Sequence, residues 1–387
     1  MPMGPPMPMG PPMIDLRGMT WNHPRGYDPM VATSDAYARA HPGVRITWEK
    51  RSLQAFADRP ISEMAETYDL MVIDHPHVGE VAKQGNLLPL DGLRDGEMAA
   101  LAAGSVGQSH PSYAFAGRQW SLAIDTATPV ACLRPDLLPT APRMWAEVLH
   151  LARAGKVAFA VIPINALMSL FGMARNLGYD VAEHPDHLIA PTQGAHVLGL
   201  LREITALMDP RCLTLDPIGI YEWMGRTADA PAYSPYGYGY TNYSRTGFCA
   251  HPLTYHDAPG IAEPTPRGTV LGGTGIAVSA YTKHPDVAVD YAFWIAGANC
   301  QKGLYTTSGG QPGHAAAWED AACNALTRDF FRNTRQTLNT AWLRPRYDGY
   351  MALQDRAGDI LHACLRGEVS EPATLTALDA AYRESRQ

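Results

Sequence analysis

The 387-residue chain has no run of about 18 uninterrupted apolar residues, the length a helix needs to cross a bilayer. That excludes membrane insertion by a helix. It lacks an excess of positive charge as well: 31 Lys plus Arg stand against 38 Asp plus Glu, giving a net charge of −7. A net acidic surface is repelled by phosphate backbones and anionic lipid, so nucleic acid is excluded as a partner. The six cysteines, Cys132, Cys212, Cys249, Cys300, Cys323 and Cys364, form no C-x-x-C pair, so thiol zinc clusters and redox motifs are absent. Scattered through so long a chain, they read as buried thiols in a reducing compartment. No G-x-S-x-G elbow and no H-E-x-x-H occurs, and neither phosphate-loop glycine spacing is present. An enzyme and a cofactor are therefore not expected.

The first 13 residues read MPMGPP twice and then Met. They have neither the basic start nor the continuous apolar stretch of a secretory signal, and no lipidation cysteine follows. Proline at this density predicts an unpacked tail, and the chain as written is expected in the cytoplasm.

What remains is 46% hydrophobic, enough for a large core. Ile14 to Thr20 predicts a strand leading into Trp21-Asn22-His23-Pro24-Arg25-Gly26, and Asp28-Pro29 opens a helix to about Ala40. Val44, Ile46 and Trp48 alternate as a second strand does. Tyr68 to Asp74 is a short apolar run of the kind buried on both faces in a parallel sheet. Strand, helix, strand, helix, strand is an α/β opening. The middle is helical, with Trp145, Val148, Leu149 and Ala152 on one face and Val197, Leu201, Ile204 and Met208 on another. YSPYGYGYTNY, from Tyr233 to Tyr243, interleaves tyrosine with glycine and proline and predicts a loop. Gly272-Gly273-Thr274 feeds a strand to Val278, and the residues beyond Trp342 are mostly helical.

Several blocks, taken in order, resemble the family 1 extracellular solute-binding proteins, the receptor components of ABC importers. HPGVRITW is similar to the family's second strand, and YDLMVIDHPHVGEVAKQGNLLPLD to its D…G.l.pLd block. AFAGRQWSLAIDTATPVACLRPDLL followed by Pro142 to Val148 resembles GkqyglPld…yr.dll…P.TWdEll, although the usual proline before Asp125 is replaced, the chain reading Ser121-Leu122-Ala123-Ile124-Asp125. VLGGTGIAVSAYTKHPDVAVDYAFWIAG and SGGQPGHAAAWED are similar to later blocks. The resemblance implies an α/β, two-lobed periplasmic-binding-protein-like fold of type II, with a ligand cleft between lobes joined by hinge strands. It places residues 14–124 with 268–314 in the N-terminal lobe and 125–267 with 315–387 in the C-terminal lobe. It further implies a monomer that binds a small polar solute and works with an ABC transporter permease. A periplasmic location, as in the family, is the alternative to the cytoplasm. A cytosolic sensor or scaffold on the same fold, or an enzyme on a small polar substrate, is the alternative function.

Ligands of open α/β sheets sit beyond the carboxyl ends of strands, which selects the candidate contacts. Trp21 either stacks on a sugar face or plugs the core, with His23 and Arg25 beside it. Asp74, His75 and His77 leave the third strand, and Asp125 leaves a later one. H-x-H suits a metal only with further ligands, and none can be singled out, so no metal is expected. Tyr236, Tyr238 and Tyr240 line the cleft or pack on the second lobe. Gly273 and Thr274 offer close backbone approach. Gln311 supplies a polar contact. Arg344 to Tyr347 either reach the cleft or form surface ion pairs, and the second is expected. With no basic cluster beside these candidates, a neutral, carbohydrate-like solute is expected, oriented by a few convergent polar groups.

Overall fold

The computed structural model describes residues 13–51 and 60–387, so the Met/Pro/Gly repeat, apart from Met13, lies outside the described residues. The first strand, β1 (Ile14–Trp21), leads through His23 into helix α1 (Pro24–Ala40). The helix starts four residues earlier than Asp28, because the His23 ring accepts a hydrogen bond from the Arg25 N–H and caps it. The chain then returns as β2 (Val44–Arg51), parallel to β1. Next comes β3 (Leu70–Asp74), whose first four residues are buried while Asp74 emerges half-buried at the carboxyl end. A 3-10 turn (His75–His77) leads into α2 (Val78–Gln84).

Strand β4 (Leu122–Ala123) precedes a crossing to a second sheet, built from β5 (Pro129–Leu133), β6 (Tyr233–Tyr238) and β7 (Thr254–His256) in the order β6-β5-β7, all antiparallel. Around it pack α3 (Trp145–Arg153), α4 (Pro163–Asn176), α5 (Pro191–Leu207) and α6 (Pro217–Arg226). The chain goes back to the first sheet as β8 (Thr274–Val278), antiparallel to β3 and β4, completing the order β2-β1-β3-β8-β4. Helix α7 (Pro285–Ala296) covers that sheet, while α8 (Tyr350–Leu365) and α9 (Glu371–Glu384) join the second body.

Two separate hydrophobic cores result. One gathers Leu16, Met19, Leu70 to Ile73, Ile276 to Val278 and Tyr291. The other gathers Val130 to Leu133, Phe159, Phe171, Leu201, Tyr255 and Leu361. Strand β6 corrects the loop expected for the tyrosine run: it pairs with β5, and burial on the second core outweighs its glycine and proline content. The chain passes between the bodies near Asp125 to Thr128, Val270 to Gly273 and Gln311 to Gly313, joined by the bridges Asp125–Pro312 and Ala127–Gly272. Among the described residues, no helix is long and apolar enough to cross a membrane.

Candidate functional site

The carboxyl ends of β1 and β3, the start of β8 and the end of β6 meet where the two bodies face each other. Asp74 ends β3, and its ladder partner across the sheet is Thr274. No hydrogen bond reaches the Asp74 carboxylate from another described residue. Burial pushes its pKa up, while the charges of Arg344, His77 and Arg25 pull the other way. The Thr274 hydroxyl is buried and has no partner among the described residues, and neither does the Tyr238 hydroxyl. Burial pushes the Tyr238 phenol up to about 12, with Arg344 and Asp74 the charges that act on it. Its ring lies against Gly272, where an added Cβ would come within 2.6 Å of Cε1. Tyr113 frames the other side, donating to the carbonyls of Ile73 (3.2 Å) and Gly273 (3.3 Å). Gly273 itself has φ +106° and faces the Asp125 carbonyl, so glycine is required there.

Arg344 is only 6% exposed, which corrects its expected place in a surface ion pair. Its Nη1 donates to Gln354 Oε1 at 2.6 Å, and Nε reaches His75 Nε2 at 3.5 Å. Burial holds His75 well below its ordinary pKa, and the nearby Arg344 charge adds to the effect. One carboxylate, Asp74, and one guanidinium, Arg344, thus act on the same space.

Other candidates are engaged with the protein itself. Arg25 forks onto Asp125, with Nε 2.8 Å from Oδ2 and Nη2 bonded to Oδ1, and its Nη1 donates to the Gly239 carbonyl at 2.8 Å. The guanidinium carbon lies 4.6 Å from the centre of the Tyr240 ring. Burial opposes charge on Arg25, but Asp125 outweighs it and the net shift is upward. His23, edge-on to Tyr240 at 4.8 Å, has its pKa lowered to about 4 by burial and then by Arg25. The ring of Trp21 is covered by Gly26, whose ideal Cβ would fall 2.3 Å from the indole, so it fills the core rather than offering a stacking face. Tyr236 is likewise a core residue, edge-on to Trp145 at 5.9 Å, with its hydroxyl on the Pro259 carbonyl. Gln311 is fully buried and pins the crossing strands: Oε1 accepts from Thr241 N–H at 3.0 Å and Nε2 donates to the Thr126 carbonyl at 2.8 Å. His77 stands 3.9 Å from Glu80, and among the described residues no group of three His, Cys, Asp or Glu is placed to hold a metal ion.

Of the sequence candidates, then, Asp74, Tyr238, Gly273, Thr274 and His75 come together around one space. Arg25, Asp125, His23 and Tyr240 form a second cluster beside the crossings. Gln354 and Tyr113 were missed, and Arg344 takes the cleft position that was the less expected of its two.

No protein-family model and no curated protein matches the sequence. Solved structures do. Maltose-bound MalE3 of T. maritima superposes with TM-score 0.82 at 13% identity, covering 96% of this chain and 99% of its own. The ribitol complex of an ABC transporter solute-binding protein from Agrobacterium radiobacter K84 gives 0.79 at 16%, covering 97% and 100%. An ABC transporter solute-binding protein from Thermotoga lettingae, bound to alpha-D-tagatose, gives 0.81 at 12%, covering 97% and 100%. The chain has the two-lobed solute-binding-protein fold. Each hydrophobic core belongs to one of the two bodies, with the first sheet in one and the second in the other, and the space around Asp74 lies where they face each other.

Proposed function

We propose that this protein captures a small, neutral, carbohydrate-like solute in the interlobe cleft, without turnover and without a metal, for an ABC-type importer. The observation that carries the reading is Asp74: a half-buried carboxylate at the carboxyl end of a central strand, with no hydrogen bond from a described residue, beside two unpartnered buried hydroxyls, Thr274 and Tyr238. Leaving such a group unsatisfied costs about 1–3 kcal/mol, so each becomes a source of affinity for a ligand that supplies the missing partner. Hydroxyl groups both donate and accept, and so suit Asp74 and Arg344 together. One negative and one positive side chain in the cleft balance each other, while Arg25 and Asp125 neutralise themselves. Net neutrality argues against a multiply anionic solute. The solutes printed for the fold neighbours, maltose, ribitol and tagatose, are all neutral and polyhydroxylated.

We take the lobes as 14–124 with 268–314 and 125–267 with 315–387, the protein as a monomer, and a permease as its partner. All six cysteines are unpaired and buried, which supports a reducing compartment for the chain as written; cell fractionation distinguishes this from the periplasm. A thermal-shift panel of maltose, ribitol, tagatose, amino acids and divalent metal ions on chelator-treated protein tests the function. The reading expects a saturable rise in melting temperature with a sugar or polyol, and the same solute recovered unchanged. Stabilisation by amino acids or metal ions alone, or chemical conversion of the solute, overturns it.

A further inference from the structure

Residues 343–349 leave and re-enter the C-terminal lobe, yet their middle rests on the N-terminal lobe. The near end is fixed by Trp342, whose ring packs on the second core and meets Phe171 edge-on at 5.9 Å, while its N–H and carbonyl bond Thr269 (2.8 Å) and Leu271 (2.9 Å) beside the crossing between the lobes. The far end is fixed by Tyr350, buried in the second core, and by Tyr347, whose hydroxyl bonds Ser385 at 2.7 Å. Between them Arg346 reaches across the lobes. Its Nη1 donates to three main-chain carbonyls of the first lobe, Pro111 (3.2 Å), Ser112 (2.7 Å) and Ala114 (2.8 Å). Asp348 pairs with Lys83 of α2 at 2.6 Å, and Arg344 touches His75. The carbonyl of Arg346 comes so close to Gly79, in the first turn of α2, that a Cβ on Gly79 would stand 1.9 Å from it. No side chain larger than hydrogen lets this segment seat.

The geometry points to a strap: residues 343–349 form a C-terminal-lobe loop that docks on α2 and on the Pro111–Ala114 carbonyls of the N-terminal lobe, and so holds the lobes closed even without solute. The acceptors of Arg346 are main-chain carbonyls outside the group of residues gathered around Asp74. Lobe separation must pull the Arg346 guanidinium from three acceptors at once, since its anchors move with the other lobe. Main-chain carbonyls do not titrate and an arginine does not discharge near neutral pH, so the strap is insensitive to mild pH change. Its one exposed ion pair, Lys83–Asp348, adds little and is screened by salt. The inference stands whatever fills the cleft.

Two spin labels, on Ala99→Cys in the N-terminal lobe and Ala195→Cys in the C-terminal lobe, read the separation, because both positions are exposed and every native cysteine is buried. In solute-free protein one short distance is expected. Gly79→Ala, which wedges the strap off α2, and Arg346→Gln, which removes the three-carbonyl grip, are each expected to raise the ratio of long to short distances at least tenfold. If Gly79→Ala fails to fold, Arg346→Gln decides alone, since it deletes a half-buried group and leaves the backbone unaltered. Distance distributions in both variants that superpose on the parent, or a parent already at the long distance, overturn the strap.

Discussion

Asp74 and Arg25 show how two ionised side chains at neighbouring strand exits take different parts. Arg25 has a carboxylate in a two-point fork, so its charge is satisfied within the protein. Asp74 has none. Asp74→Asn is therefore expected to weaken solute binding by about 1.5–3 kcal/mol, the range for a hydrogen bond to a charged group, with the melting temperature of the free protein unchanged or raised. Calorimetric titration of parent and variant with maltose, ribitol or tagatose checks it. A loss of stability without a loss of affinity contradicts the assignment. Removing one partner of the buried pair behaves in the opposite sense: Arg25→Met strands Asp125 and is expected to cost about 3–5 kcal/mol of stability, with much of it regained in Arg25→Met/Asp125→Leu. Denaturant melts of the three proteins test this coupling. Trp21→Ala belongs to the same class, since its ring is in the core; the expected loss is about 3–5 kcal/mol of stability rather than of affinity.

His23 adds a pH dependence with a definite sign. Its folded pKa, about 4, lies below the ordinary 6.5, so the unfolded chain binds the extra proton first. The stability this neutral ring contributes is complete above about 6.5, falls as pH drops from there towards 4, and is gone below. Protonation in the fold would set a second positive charge beside Arg25 and remove the acceptor that caps α1. His23→Asn keeps a capping acceptor that does not titrate. Melting curves between pH 7.5 and 4 should fall less steeply in that variant; parallel curves for the two proteins contradict the assignment.

At the scale of elements, the parallel strands β1 to β3 and the exit of Asp74 were legible because their apolar runs end in polar residues, and burial alone fixes such strands. The β6 strand was not, because glycine and proline hide its pattern and only pairing with Pro129–Leu133 makes it regular. The cleft partners were hidden for another reason. Arg344 meets His75 across 269 positions of sequence and Arg25 meets Asp125 across 100. No local spacing encodes either meeting, so Arg344 read as a surface charge and Gln311, which pins two crossing strands, read as a ligand contact. Gly79 gave no signal either, since its requirement comes from a carbonyl 267 residues away along the chain.

For the whole molecule, the order of blocks in the sequence carried the two-lobed fold, and the fold in turn locates the cleft. The proposal of a neutral, polyhydroxylated solute rests on Asp74, Thr274 and Tyr238, whose polar atoms have no partner among the described residues. Hydrogen exchange measured with and without the panel sugar or polyol that most raises the melting temperature tests that claim directly. The account predicts slower exchange on both lobes at once, in Val72–Val78 at the β3 exit and in Gly237–Asn242 with Trp342–Asp348 opposite, and little change in α5 or α9. Protection confined to one lobe, or a panel in which no polyhydroxylated solute binds, would contradict it.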